Sequence, residues 1–201
     1  MSDDEVRGQH FHDEDWYGDD LSGTTFIECT FTAIDLSEVL ATSATFTRCT
    51  FNSCRFNASS WTTTAFVGCE FRRCSLFDTT FDGCKLTGSA FVECRTRPVR
   101  IRGGVWRGTS LRGVNLSSTD LRDVDLRESD LSLASLAGAD LRGAHLGGAV
   151  LRGADLAGAD LRGTHLDHAV LDEAVLTGTR IGLAAAVLLA ERTGAVVDPD
   201  V

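Results

Sequence analysis

The sequence predicts an all-β solenoid, a four-sided parallel β-helix of five-residue repeats that is capped by a C-terminal α-helix. Phe, Leu, Trp or Ile recurs at every fifth position from Phe11 to Ile181, with Ala41 and Thr96 as the exceptions. Small residues dominate two positions earlier, and the remaining three positions are mostly polar or glycine. Similar residues also recur at a spacing of 20, which is one coil of four repeats.

A period of five fits neither a straight helix nor a flat strand. A step of five residues turns an α-helix by about 140°, so no single helical face would be apolar. Along a flat strand, an odd step sends successive apolar residues to opposite faces. Each repeat must therefore bend and form one short side of a coil, with its large residue and the small residue two before it pointing inward.

The column composition favours four sides. A spacing of 20 aligns five phenylalanines, namely Phe11, Phe31, Phe51, Phe71 and Phe91. A spacing of 15, the three-sided alternative, aligns mainly Trp16, Trp61 and Trp106. Within this core, the first half pairs Phe with Cys, Thr or Ser, and the second half pairs Leu with Ala. Ala41 should leave a gap in its column that Trp61 fills, because protein interiors tolerate few voids.

The repeat divides the chain into three parts. We expect a disordered acidic N-terminus over residues 1–8, the β-helix over 9–183, and a dimerisation helix with a tail over 184–201. Leu183, Val187 and Leu188 belong to an apolar stretch that would cover the last coil with one face and meet a second copy with the other. The alternative is a helix that folds flat on its own coil. No signal peptide or membrane span is evident, so we expect a cytoplasmic protein without membrane contact.

The net charge of −10 is unevenly distributed. Residues 1–39 hold eleven acids and one base, residues 40–114 four acids and eleven bases, and residues 115–201 fourteen acids and seven bases. Acidic ends around a basic middle do not indicate direct nucleic-acid binding. Asp120, Asp140 and Asp160 should be neutralised by neighbouring arginines on the same side. Other sides of the C-terminal half carry acids that we expect to be unpaired: Asp155, Asp167, Asp172 and Glu173.

No motif predicts catalysis, a cofactor or a metal site. All seven cysteines fall at the small inward position, where we expect buried, reduced thiols. His10 and His12, and the pair His145 and His165, lack further ligands at fixed spacing. A different irregularity is the pair Thr96 and Pro98, which interrupts the apolar pattern and removes a backbone donor. We predict a local kink there, over residues 95–101.

The repeats resemble a known family. Ala139–Gly143, Ala154–Gly158 and Ala159–Gly163 match the A-(D/N)-L-x-x signature of pentapeptide-repeat proteins, and the resemblance covers about residues 9–183. It implies a right-handed quadrilateral β-helix. The uninterrupted register, the C-terminal helix and the segment from Gly88 to Pro98 are similar to the MfpA type, whereas Qnr-type relatives carry projecting loops that this chain lacks between residues 11 and 181.

That resemblance implies a function. It suggests a homodimer that binds DNA gyrase, a type II topoisomerase, as a mimic of duplex DNA and protects it from quinolone-type poisons. We expect Asp155, Asp167, Asp172 and Glu173 to face gyrase, since they would lie near the two-fold axis of the dimer. The alternative is a generic protein-interaction scaffold whose partner is not a topoisomerase.

Overall fold

The computed structural model describes residues 5–192 and 194–198, without the side chain of residue 192, and it forms a parallel β-solenoid. Three of its four faces contain strands, here numbered in chain order. The first face holds β1 (Glu5–Arg7), β3 (Thr25–Ile27), β6 (Thr45–Thr47) and β9 (Ala65–Val67). The second holds β2 (His10–His12), β4 (Thr30–Thr32), β7 (Thr50–Asn52), β10 (Glu70–Arg72) and β12 (Ala90–Val92). The fourth holds β5 (Leu40–Thr42), β8 (Ser60–Thr62), β11 (Thr79–Asp82), β13 (Val99–Arg102), β14 (Asp160–Leu161) and β15 (Arg180–Ile181).

The third face is built from isolated bridges, such as Asp15 with Asp35. Every strand pairing among the described residues is parallel and joins residues 20 apart, as in Phe31 with Phe51 and Phe51 with Phe71. One coil is therefore four repeats. The four-sided parallel β-solenoid that the sequence predicts is confirmed.

Stacked rings form the core of the first half. The ring centroids of Phe31 and Phe51 lie 4.7 Å apart, and those of Phe51 and Phe71 lie 5.0 Å apart, both nearly parallel. This spacing equals the distance between hydrogen-bonded strands, so one ring per coil fills the column without a void. Ala41 is buried, and the fully buried Trp61 lies directly beside it in the next coil.

The second half uses tighter corners. From Leu111 onward, the carbonyl of the large residue repeatedly accepts a hydrogen bond from the amide three residues later, as in Val114 to Leu111 at 3.1 Å. These turns replace most strands by single bridges. Leu and Ala fill the core here, and both are buried throughout the stretch from Ala134 to Leu161.

The ends differ slightly from the prediction. Glu5–Arg7 forms β1 and pairs with β3, so the coil already includes residues 5–7 of the stretch predicted to be disordered. Residues 1–4 lie outside the described residues. The helix α1 spans Leu183–Arg192, which confirms a C-terminal helix. Within the part of the chain that the structure describes, no helix is both long and apolar enough to cross a membrane.

Candidate interaction surfaces

The fourth face of the C-terminal half carries a neutralised ladder. Arg122, Arg142 and Arg162 each bond, at 2.6 Å, the aspartate two residues earlier, that is Asp120, Asp140 and Asp160. The hydrogen bond from the Arg162 guanidinium lowers the pKa of Asp160 to about 2. The predicted neutralisation on this side is therefore present.

Three of the four predicted acids form no ion pair with a described residue. Asp167 and Glu173 are exposed. Asp155 is half-buried, and its carboxylate accepts the amide of Ala157 at 3.0 Å. Asp172, however, pairs with Arg152 at 3.5 Å. The prediction was wrong for Asp172, because residues one coil apart come within reach in a solenoid.

The helix α1 packs with one side on the last coils. Ala185 is buried and Leu189 packs against the core, whereas Leu183 is 82% exposed. Val187, one helical turn after Leu183, is half-buried. Leu188 lines a small groove with Asp167 and Ala184. The apolar residues Leu183 and Val187 thus form an outward face, while Leu188 lies at its edge.

The backbone ladder is interrupted once within the described solenoid. Each face normally adds three hydrogen bonds between coils. On the first face these are Val105 to Cys84, Leu86 to Val105 and Gly88 to Arg107, at 2.8–3.0 Å. Among the described residues, no backbone bond joins 93–103 to 112–122. Strand β13 is accordingly the last strand of its sheet. We call this opening the mid-rod gap.

The two residues predicted to form a kink lie at the gap. Pro98 follows a cis peptide bond and has no amide to donate. The Thr96 hydroxyl donates to the carbonyl of Asn115 at 2.6 Å, and this side-chain bond crosses the junction. A bend in the axis of the rod stays a prediction.

Gly104 is a gap residue that the sequence analysis missed. It is the one glycine at the small inward position of a repeat, and a Cβ there would overlap the carbonyl oxygen of Cys84. The chain therefore approaches the preceding coil closely at this point, and pairing with the following coil resumes here, since the Gly104 carbonyl accepts the amide of Asp125 at 3.1 Å. A glycine in a column of Cys, Thr, Ser, Ala and Val was the available signal.

Two surface clefts mark the gap on the fourth face. One of ≈ 380 Å³ is lined by Ile101, Arg102, Gly103, Asp120, Arg122 and Asp123. The other, of ≈ 290 Å³, adjoins it along β13 and is lined in part by Arg100 and Ser118. Beneath them lies an interior cavity of ≈ 10 Å³, about the space of one water molecule. Trp106 lines this cavity, and its buried Nε1 has no hydrogen-bond partner among the described residues.

Arginines surround the gap. Arg100 pairs with Asp78, and Arg102 lies 3.6 Å from Asp82, both toward the preceding coil. Three more, Arg95, Arg97 and Arg112, form no ion pair with a described residue. Five of the eleven bases of residues 40–114 therefore lie at this opening.

The thiols lie inside, as predicted, with one exception. Six cysteines are buried, whereas Cys94, at the start of the gap, is only half-buried. Thiol groups donate to carbonyl oxygens of the preceding coil, as Cys84 does to Trp61 at 3.1 Å. Burial raises the pKa of Cys84 to about 11, so this thiol stays protonated at neutral pH.

Three histidines make side-chain contacts. The rings of His145 and His165 stack with centroids 4.7 Å apart. His12 lies 2.7 Å from Asp13. In the described part of the chain, no cluster of three or more His, Cys, Asp or Glu side chains is arranged to hold a metal ion.

Comparison with known proteins identifies the repeat. Family models described as pentapeptide repeats (8 copies) match residues 20–57, 129–167 and 154–182, and one described as a pentapeptide repeat region matches 54–132. No curated protein sequence matches significantly. Among solved structures, a trypsin-treated form of QnrB1, a plasmid-mediated fluoroquinolone resistance protein, superposes with a TM-score of 0.77 at 20% identity, covering 96% of this chain and 99% of that one. Full-length QnrB1 gives 0.67 at 20% identity, covering 95% and 100%.

Proposed function

The chain belongs to the pentapeptide-repeat family, and on that premise we propose that it is a non-catalytic cytoplasmic homodimer that binds DNA gyrase and protects it from fluoroquinolone-type poisons. The observation that carries this proposal is the shared architecture with QnrB1 over nearly the whole of both chains. At 20% identity, this likeness extends to the fold. Beyond the shared fold, the proposed function is supported by the surfaces described above.

The outward face of α1 supports the homodimer. Leu183 and Val187 present apolar surface on the side away from the core. Apolar side chains in such a position typically mark an interface, and two-fold dimers are the commonest assembly. A second copy that lays its own helix against this face would cover both helices at once. The C-terminal ends of the two solenoids would then meet at the two-fold axis.

Acidic patches, and not the whole surface, would take the place of DNA. Duplex DNA carries one charge per ~1.7 Å of its axis. A rod of nearly nine coils spaced by ~4.8 Å is roughly 40 Å long. With a net charge of −10, it has a far lower charge density. Asp167 and Glu173, which are exposed and unpaired toward described residues, lie in the C-terminal half and would be near the two-fold axis. We assign them the leading part in gyrase contact.

A supercoiling assay tests this proposal directly. Purified protein is added to gyrase and relaxed plasmid, with and without a fluoroquinolone, and supercoiled and cleaved DNA are measured. We expect fewer drug-induced cleavage products in its presence. Measurement of supercoiling without drug separates inhibition of gyrase from protection. If the wild-type chain has no effect on either reaction at tenfold molar excess, the gyrase proposal fails and the scaffold alternative remains.

A matched pair of variants locates the contact. Asp167→Lys combined with Glu173→Lys reverses charge in the proposed surface. Asp19→Lys combined with Asp20→Lys changes the net charge equally at the opposite end. We expect the first variant to lose protection and the second to retain it, with circular dichroism and light scattering unchanged in both. Equal loss in both variants would point to overall charge and would remove the assigned surface.

A further inference from the structure

The mid-rod gap leaves backbone groups without partners in a fold that otherwise pairs them. In the intact junctions, the large residue and the corner residue donate amides to the next coil, as Leu121 does to Asp140 and Asp123 to Arg142. The corresponding amides at the gap belong to Ile101 and Gly103, and they have no backbone acceptor among the described residues. Ile101 and Gly103 line a surface cleft, so this edge is open to water and to a peptide backbone that would replace it.

The two edges of the gap offer donors and acceptors in alternation. On one edge, Ile101 and Gly103 present amides and Val99 presents a carbonyl. On the other edge, Asp120 presents both an amide and a carbonyl that are not used across the junction. An extended peptide carries both kinds of group at strand spacing, and edge strands bind peptides in this way. A nucleic-acid backbone offers phosphate acceptors but lacks the regular donors that Val99 and Asp120 require.

Three arginines at the gap are available to carboxylates of a partner. Arg95, Arg97 and Arg112 have no carboxylate partner among the described residues. The clefts themselves are lined by Asp123 and by Arg100, Arg102 and Arg122, which pair with Asp78, Asp82 and Asp120. The Arg102 contact is the longest of the three, at 3.6 Å. Arginine is suited to bind carboxylates with two parallel hydrogen bonds.

The chain itself prevents the gap from closing. Pro98 lacks the amide that would extend the ladder, and the Thr96 hydroxyl occupies the carbonyl of Asn115. Gly104 lies where pairing with the next coil resumes, because its carbonyl accepts the amide of Asp125 at 3.1 Å. Thr96 and Pro98 lie in the stretch before it, where the backbone bonds between the coils are missing. They maintain an open strand edge in the middle of an otherwise closed ladder.

We propose that the mid-rod gap is a docking site for an extended acidic segment of a partner protein, which adds to the free edge of β13 and pairs its carboxylates with the surrounding arginines. This site is separate from the acidic surface assigned to gyrase and does not depend on that function. It lies at the mid-rod gap, has the unpaired arginines Arg95, Arg97 and Arg112 at its edges, and binds by backbone pairing.

Hydrogen exchange tests the gap in the free protein. NMR should show the amides of Ile101 and Gly103 exchanging roughly a hundredfold faster than those of Leu121 and Asp123, which occupy the same positions one coil later. Equal protection of the two pairs would mean that the ladder is closed in solution, and the proposal would be wrong.

Fluorescence anisotropy tests the docking. The probe is a short labelled peptide of alternating valine and glutamate, and it should bind and protect the amides of Ile101 and Gly103. A valine–lysine peptide and a valine–glutamate peptide with N-methylated backbone should not bind, because the first lacks carboxylates and the second lacks amide donors. A labelled oligothymidylate should bind more weakly than the acidic peptide. If it binds more tightly, the site is one for nucleic acid and the proposal is overturned.

Two protein variants complete the test. Thr96→Leu with Pro98→Gly restores the repeat pattern and should abolish peptide binding by closing the ladder. Arg102→Glu should weaken binding roughly fivefold, whereas Arg142→Glu, its counterpart in the same column of an intact coil, should leave it unchanged. If the closing variant does not fold, the comparison of Arg102→Glu with Arg142→Glu still tests the site. Equal affinities of the two arginine variants, or no binding by the wild-type chain, would refute the site.

Discussion

Two buried tryptophans provide a matched test of how the gap affects the core. Trp61 is fully buried and its Nε1 donates to the hydroxyl of Ser59 at 2.8 Å. Trp106 is 2% exposed, and its Nε1 has no partner among the described residues. Both occupy the large position of a repeat and both contact neighbouring rings. The main difference between them is whether the indole N–H is satisfied.

Replacing each tryptophan by phenylalanine should therefore have unequal effects. The loss of buried apolar area is similar at the two sites and cancels in the comparison. Trp61→Phe also removes a hydrogen bond with a net value of about 1 kcal/mol, while Trp106→Phe removes an unsatisfied donor whose burial costs about 1–3 kcal/mol. The two variants should differ by about 3 kcal/mol in unfolding free energy, with Trp106→Phe the more stable.

Urea and thermal unfolding followed by circular dichroism measure this difference. For a chain of this length, about 3 kcal/mol corresponds to roughly 6–12 °C in Tm. The double variant serves as a control, because the two sites lie in different coils and their effects should add. If Trp106→Phe destabilises as much as Trp61→Phe, the indole at the gap has a partner in solution and our description of this cavity is wrong.

Three further predictions follow from the described surfaces. Cys94, the half-buried thiol at the gap, should react first with a maleimide in the native protein, and mass spectrometry would contradict this if a buried cysteine were labelled before it. The pKa of Asp160 is lowered from its usual 3.8 to about 2, so its contribution to stability should be complete above about pH 4 and lost as the pH falls through about 2; Asp160→Asn should reduce the loss of Tm over that interval. Leu183→Asp should convert the dimer to a monomer by light scattering without a change in circular dichroism, whereas a monomeric wild-type chain at micromolar concentration would disprove the interface.

The sequence was sufficient to predict the solenoid because the large apolar residue at every fifth position is the one that points inward. A large residue every fifth position requires a bend in each repeat, and a column repeat of 20 specifies four sides. The stacking of Phe31, Phe51 and Phe71 follows from that register. The N-terminal boundary was harder to predict, since Val6 is smaller than the Phe, Leu, Trp and Ile residues that mark the inward position elsewhere, although it belongs to the first strand of the coil.

The charged surface was harder to predict because pairing depends on side-chain reach. The Asp160–Arg162 bond joins neighbours on one face, whereas Arg152–Asp172 joins two coils. Sequence spacing identifies such candidates without showing which of them meet. At the gap, Thr96 and Pro98 were visible as breaks in the pattern. The requirement for glycine at position 104 depends on the position of the Cys84 carbonyl, which only the three-dimensional structure gives.

The distribution of charge over the faces constrains how both proposed sites could be used. Residues 115–182 hold eleven acids and six arginines, an excess of five acids. The fourth face of this segment holds four acids, Asp120, Asp123, Asp140 and Asp160, and four arginines, Arg122, Arg142, Arg162 and Arg180, so it contributes no net charge. The whole excess therefore lies on the other three faces. A partner that binds the acidic surface as it would bind DNA would approach those faces. The fourth face, with the mid-rod gap, would then stay accessible to an acidic segment.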